Sequence, residues 1–486
     1  MLSKIFCTLF IVIFCMFGSR TYAHDIEVAN DDGITIYYNW RSNENNEMEL
    51  VVTYQGLLYG MYKYKGDVNI PEYVDYNGKK YSVTAIGYHA FDSGELTSIS
   101  IPNSVKKIEE LAFYQCSLSS LSIPKSVGSI YYNSFFSCYN LASIEVDTDN
   151  PIYDSREGCN AIIESSSNKL ILGCEKTTIP DGVSIIGFSA FINTNISSVK
   201  FPNSVISIEE QAFDGCYNLV DIVFSNSINL IGRAAFRGCG MNKIIIPNEL
   251  SVIGEYAFCN CYHLNTVEFS NSLTTIGEGA FISCTSLENI IIPNSVTTIG
   301  ERAFDGSGLT TIIVPGSITE IAGKTFEYCS KLTTVYLQDN VNSIGGSAFE
   351  GCKKLETVVI PSSLKYIDQY AFRDCKNLKN FYSYPEVPID YMYYVFEGID
   401  IKNATLHVPG NSIDTYNSSY PWKNFGTIVP LNNDDPNPTG ILSTTLQQNT
   451  KLLYYFTIEG KHIEKPNKGI YVVRMSDGSI KKVIIK

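Results

Sequence analysis

A phenylalanine recurs along this chain at Phe91, Phe113, Phe135, Phe191, Phe213, Phe236, Phe258, Phe281, Phe304, Phe326, Phe349 and Phe372. The spacing is 22 or 23 residues throughout, apart from one gap of 56 between Phe135 and Phe191, and a degenerate unit follows at Phe396. The same frame surrounds each anchor: Leu96-Thr-Ser-Ile-Ser-Ile-Pro102 matches Leu287-Glu-Asn-Ile-Ile-Ile-Pro293 and Leu355-Glu-Thr-Val-Val-Ile-Pro361. Each is followed by Ser-Val/Leu-x-x-Ile-Gly/x-x-x-Ala-Phe and, usually, Cys. Eleven residues separate the Pro position from the Phe, and five or six separate the Phe from the next Leu. One part of the unit is fixed in length and one turn is tolerant, as expected when every coil stacks on the last. A coil this short cannot bury its own apolar side, so neighbouring coils must supply the core.

Within each unit, Leu-x-x-Ile-x-Ile ends in period-2 alternation and predicts a short strand, which the Pro terminates because it has no N–H for the ladder. The second half, for example Val296, Ile299, Ala303 and Phe304, predicts a short extended piece and then about one helical turn ending near the Cys. The expected class is therefore a β-rich solenoid of 22–23-residue coils with a parallel sheet on its concave face.

Composition narrows the function. Hydrophobic residues are 44% of the 486 and charged residues 18%, so the chain is neither disordered nor a coiled coil. A net charge of −14 gives no general attraction to nucleic acid or anionic lipid. Residues 1–23 read as a secretory signal: Lys4, an apolar stretch from Ile5 to Phe17, and small residues at Thr21 and Ala23 before His24. No other apolar run is long enough for a transmembrane helix, so the mature chain is expected to be exported without a transmembrane span.

The repeat resembles bacterial surface leucine-rich repeat proteins of the BspA-like type, over roughly residues 82–378. That resemblance implies a solenoid and a cell-surface adhesion role, with host matrix or another microbe as partner. The expected organisation is a β cap over 24–80, the solenoid over 81–378 with a hairpin insertion at 147–173, and a divergent closing repeat over 379–431. A polar linker at 432–439 and a small C-terminal β module at 440–486 follow. Tyr455-Phe-Thr-Ile-Glu-Gly460, Lys468-Gly-Ile-Tyr-Val-Val-Arg474 and Ser479-Ile-Lys-Lys-Val-Ile-Ile-Lys486 resemble the C-terminal sorting modules of type IX secretion. An accessory β domain is the alternative.

Nine cysteines lie three residues after an anchor Phe: Cys116, Cys138, Cys216, Cys239, Cys261, Cys284, Cys329, Cys352 and Cys375. Gly94, Thr194 and Ser307 fill the same slot elsewhere, which marks a small packing position; disulfides between adjacent coils are the sharper alternative. Cys259-Asn-Cys261-Tyr-His263 looks like a metal cluster, but Cys261 belongs to the inward ladder, so no metal is expected. In the 56-residue gap, Gly158-Cys-Asn-Ala-Ile-Ile-Glu and Lys169-Leu-Ile-Leu-Gly-Cys174 flank a turn and predict a hairpin, with one extra strand near Cys174 to Pro180. With its tip at Ser166-Ser167, Cys159 falls opposite Cys174, which permits a cross-strand disulfide or two stacked thiols.

The sequence contains no nucleophile elbow, no Walker loop and no His-Glu-x-x-His, so neither an enzyme nor a cofactor is expected. A surface remains. In Leu-x-x-Ile-x-Ile the third and fifth positions face outward. The fifth runs Ser100, Ser122, Glu145, Lys200 and Val223 in a mainly polar N-terminal half, and then Ile245, Glu268, Ile291, Ile313, Tyr336, Val359 and Tyr382 in a mainly apolar and aromatic C-terminal half. Thr311, Thr334 and Thr357 stand beside them at the third position. An exposed apolar stripe marks an interaction site for an extracellular protein or peptide. A glycan held by Tyr336, Tyr382, Asn289 and Asn380 and a purely structural surface coat are the alternatives, as is a stripe covered by the C-terminal flank.

Overall fold

The computed structural model describes residues 24–56 and 64–438, together with the backbone of four further strands between 452 and 485. The leader expected at 1–23 lies outside the described residues. The chain forms two compact units, Met1–Met241 and Asn242–Lys486. Each is a stretch of β-solenoid in which successive coils add strands in parallel.

In the first unit, Ile26–Ala29, Thr35–Ser42 and Met48–Thr53 pair antiparallel, and Met48–Thr53 then pairs parallel with Lys79–Ile86. Lys79–Ile86 leads into the repeat strands Lys107–Ile108 and Ser129–Ile130. The cap is thus continuous with the ladder it protects. Stacking also begins earlier than position 81, because Lys65–Asn69 pairs parallel with the first repeat strand, Glu95–Ser100.

In the second unit, Lys243–Ile245 pairs with Thr266–Glu268. Thr311–Val314, Thr334–Leu337, Thr357–Ile360, Asn380–Ser383, Thr405–Val408 and Thr427–Pro430 form a six-stranded parallel sheet. The divergent segment 379–431 therefore continues the sheet. The strands Leu452–Phe456, His462–Ile463, Gly469–Met475 and Ile480–Ile485 make an antiparallel sheet of their own.

The anchor phenylalanines are buried and stacked. In the first unit Phe113 lies on Phe135 with centroids 4.9 Å apart, and Phe213 on Phe236 at 5.2 Å. In the second, Phe281, Phe304, Phe326 and Phe349 follow at 5.3–5.6 Å with interplanar angles of 8° or less. These near-parallel rings follow one another at about the strand spacing of 4.8 Å or a little more. Phe396, Phe425 and Trp422 end the column, with Trp422 buried and 5.7 Å from Phe396.

The expected helical turn is not formed. Residues two before and two after the Phe adopt left-handed backbone, as at Arg302 (φ 57°) and Gly306 (φ 65°) around Phe304, and such residues break a right-handed helix. The result is a pair of tight turns whose amides reach the next coil: the Phe304 N–H donates to the Thr325 carbonyl and that of Phe326 to Ala348, both at 2.8–2.9 Å. The same spot explains the cysteine slot. Cys352 Sγ lies 3.2 Å from the Phe326 carbonyl of the preceding coil and Cys375 Sγ 3.1 Å from that of Phe349; Cys138, Cys216, Cys239, Cys284 and Cys329 repeat the contact. A thiol is small enough to pack there and still donate a weak hydrogen bond.

The insertion departs from expectation at one residue. Glu164 faces Lys169 and Ile163 faces Leu170, so the tip is centred on Ser166 and Ser167 as expected. Beyond it Ile162 pairs with Leu172, which leaves Ile171 as a bulge and shifts the register by one. Cys174 then meets Asn160, its Sγ 3.3 Å from the Asn160 carbonyl, and of the two arrangements the sequence left open, bridge or free thiols, Cys159 and Cys174 are buried free thiols. The strand expected near Cys174 to Pro180 is not formed either; Lys169–Gly173 joins the ladder instead, beside Ile185–Ile186. The Phe191 ring lies so close to Gly173 that a Cβ there would come within 2.0 Å of it.

Phe304 is fully buried between two rings. Phe304→Ala should cost about 3–5 kcal/mol in denaturant unfolding. Thiol titration in denaturant without reductant should find twelve reactive groups from Cys116 to Cys375, against ten if Cys159 and Cys174 were bridged. Burial pushes the Cys116 and Cys159 thiols up to about 11 and Cys329 up to about 12. Folded thiols thus hold their protons more tightly than unfolded ones, whose pKa is about 8.5. That contribution is complete below pH 8 and lost as pH rises through 11–12, so unfolding midpoints should be flat to about pH 8 and fall above 9.

Candidate functional site

The period of two along each strand sends alternate side chains to opposite faces, and strand register decides which outward side chains become neighbours. In the second unit Ile313, Tyr336, Val359, Tyr382, His407 and Val429 lie side by side on six successive strands. Thr311, Thr334, Thr357, Asn380, Thr405 and Thr427 form a parallel row two residues away. Inward neighbours such as Ile312, Val335 and Val358 are fully buried.

The outward apolar row is not uniform. Ile245 is 55% exposed, Ile291 43% and Ile313 44%. Ile291 lies on an extended segment between Cys284 and Pro293 that carries no ladder strand, with Ile292 turned inward beside it. Glu268 interrupts the row between Ile245 and Ile291, but Lys243 Nζ pairs with its carboxylate at 2.6 Å. Tyr336 and Tyr382 are half-buried, and burial pushes both phenols up. Thr311, Thr334 and Thr357 are half-buried as well.

Val359 departs from expectation: it is fully buried, not exposed. Its register neighbours are Tyr336 on one side and Tyr382 on the other, and a valine between two larger rings on adjacent strands is shaded by both. It offers a partner nothing directly. The outward row of the second unit therefore presents open isoleucines at Ile245, Ile291 and Ile313, then an aromatic end on the six-stranded sheet at Tyr336, Tyr382 and His407.

That end is partly covered. The segment 432–439, expected as a linker, turns back onto the sheet as far as it is described. The Leu431 N–H donates to the Val408 carbonyl at 2.7 Å, and the Tyr384 hydroxyl donates to the Pro436 carbonyl at 3.0 Å. His407 stacks on Tyr382 with centroids 4.1 Å apart, its Nε2 is 3.3 Å from Asn380 Oδ1, and its Nδ1 is 3.8 Å from the Asp435 carboxylate. Burial pulls the His407 pKa down, and Asp435 opposes that shift. Burial followed by Asp435 raises Tyr382 and Tyr384. Sequence reading left His407 and Tyr384 out of the site. The signal for His407 was present, since Ala404-Thr-Leu-His-Val-Pro409 puts it at the outward fifth position; nothing in the repeat marks Asp435 or Pro436.

Cys259, Cys261 and His263 do not converge: the thiols are buried and His263 is exposed. Among the described residues no group of three His, Cys, Asp or Glu side chains could hold a metal ion, and no helix is long and apolar enough to cross a membrane.

Residues 79–181, 184–310, 251–379 and 299–420 match the family model described as a BspA type leucine rich repeat region. No curated protein matches the chain. Among solved structures, the chain is similar to a leucine rich cell surface protein from Faecalibacterium prausnitzii, at 22% identity and a TM-score of 0.42 over 76% of this chain and 95% of that one. A leucine-rich repeat protein from Bacteroides ovatus is 24% identical with a TM-score of 0.32 over 82% and 98%. The pneumococcal vaccine antigen PcpA is 17% identical with a TM-score of 0.33 over 80% and 83%.

Proposed function

We propose that this chain, which belongs to the BspA-type leucine-rich repeat family, is an exported cell-surface protein that binds an extracellular protein or peptide on the outer face of its parallel sheet. One observation carries the reading: Ile245, Ile291 and Ile313 stand about half-exposed on the face that alternation turns away from the core. Fully burying an isoleucine is worth about 1.5–3 kcal/mol. Covering the exposed half of each therefore offers a partner roughly 1 kcal/mol per residue. The flanking Thr311, Thr334 and Thr357 hydroxyls supply polar groups that orient what lies on that apolar strip.

Export rests on the leader-like residues 1–23, and surface attachment on the likeness of the last strands to type IX sorting modules. A protein partner fits this face better than a sugar, because Tyr336 and Tyr382 are half-buried and leave few free rings for stacking. No catalytic role is assigned to the face.

Ile245→Ser with Ile313→Ser removes two of the open anchors and touches no inward residue. At about 2 kcal/mol together, capture of extracellular proteins by the double variant should fall about thirtyfold against the unmodified chain. A folded double variant that captured every partner undiminished would refute the reading.

A further inference from the structure

We propose that the aromatic end of this sheet is a self-occupied peptide site. Tyr382, Tyr384 and His407 take a proline-containing turn segment, the chain's own residues 432–438 fill the site in cis, and a partner segment of like chemistry binds there by displacing them. The proposal rests on the reading of the outer face as a binding surface and names the kind of ligand its C-terminal end accepts.

Three observations support it. First, exposure changes along one row: Ile245, Ile291 and Ile313 are open, whereas Tyr336 and Tyr382 are half-buried. At Tyr382 the difference coincides with the arrival of Asp435 and Pro436 beside Tyr382, Tyr384 and His407. Secondly, the covering segment has the character of a bound peptide. It makes no strand pairing after Pro430, presents a backbone carbonyl to the Tyr384 hydroxyl, and buries Pro438. Asn432-Asn-Asp-Asp435 forms a tight turn, in which the Asp435 N–H donates to the Asn432 carbonyl at 3.2 Å, and Pro436 and Pro438 after it restrict the backbone that meets the aromatic side chains.

Thirdly, the turn at 432–435 is closed by hydrogen bonds of its own. The Asn432 N–H donates to the Asp435 carboxylate at 2.9 Å and the Asp434 N–H to Asn432 Oδ1 at 2.8 Å. His407 Nδ1 is buried, has no hydrogen-bond partner among the described residues, and lies 3.8 Å from Asp435, beyond hydrogen-bond reach. A turn closed on itself, leaving an orphaned ring nitrogen beneath it, can be lifted off as a unit and replaced by a segment that satisfies that nitrogen.

The test uses the full chain and a fluorescently labelled synthetic peptide, Pro-Leu-Asn-Asn-Asp-Asp-Pro-Asn-Pro, copied from residues 430–438. Asp435→Ala with Pro436→Gly loosens the cis segment, and hydrogen exchange at Tyr384 and His407 reports its release. Anisotropy should show the peptide binding the loosened variant at least tenfold more tightly than the unmodified chain. Tyr384→Phe in the loosened background, which removes only the hydroxyl donor, should reverse most of that gain. A peptide with both prolines replaced by alanine should bind at least fivefold more weakly. A released segment with no peptide binding overturns the proposal, as does equal binding of the proline and alanine peptides. Either failure leaves Ile245, Ile291 and Ile313 untouched, so it is distinguishable from failure of the wider binding surface.

Discussion

Coil-on-coil stacking is the contact on which everything else in this protein depends. A unit of 22 or 23 residues has one apolar side and no interior, so the core exists only between neighbours. The phenylalanine column fills that space, and the anchor amides donate to the next coil's carbonyls. The cysteine thiol closes back on the preceding coil. Because the repeat extends in one direction, its ends would expose the column. In the first unit an antiparallel cap covers the column, and in the second Trp422 with Phe425 does so.

With the inward side chains committed to stacking, the outward ones are released from it. Ile312, Val335 and Val358 hold the second unit together, while their strand neighbours Ile313 and Tyr336 need not. This separation is why a binding surface can be varied on such a scaffold without disturbing the fold. It also makes exposed isoleucines on an outward row informative: the core does not require them there.

Periodicity made the stacking legible in the sequence. The Phe spacing, the fixed run from Pro to Phe, and the alternation of Cys with Gly, Thr and Ser all report positions that repeat from coil to coil. What was not legible breaks the period or depends on a neighbour's size. The bulge at Ile171 shifts a hairpin by one residue and separates Cys159 from Cys174, though the tip is centred where expected. Val359 fits the outward pattern yet is shaded by Tyr336 and Tyr382, which only the register reveals. The left-handed residues after every anchor Phe, and before every one but Phe135, turn an apparently helical spacing into tight turns. The return of Asp435 and Pro436 to the sheet is a tertiary contact that no local pattern encodes.

The central claim is that alternate residues of one strand position divide between holding the fold and facing a partner. Ile291 and Ile292 are adjacent, chemically identical and assigned to opposite sides, 43% and 7% exposed. Denaturant unfolding of Ile291→Ala and Ile292→Ala compares them directly. The account predicts a loss of about 2–5 kcal/mol for Ile292→Ala and a change within about 0.5 kcal/mol for Ile291→Ala. Equal losses at the two positions would mean that Ile291 is part of the core, and would contradict the assignment of the outer row to binding.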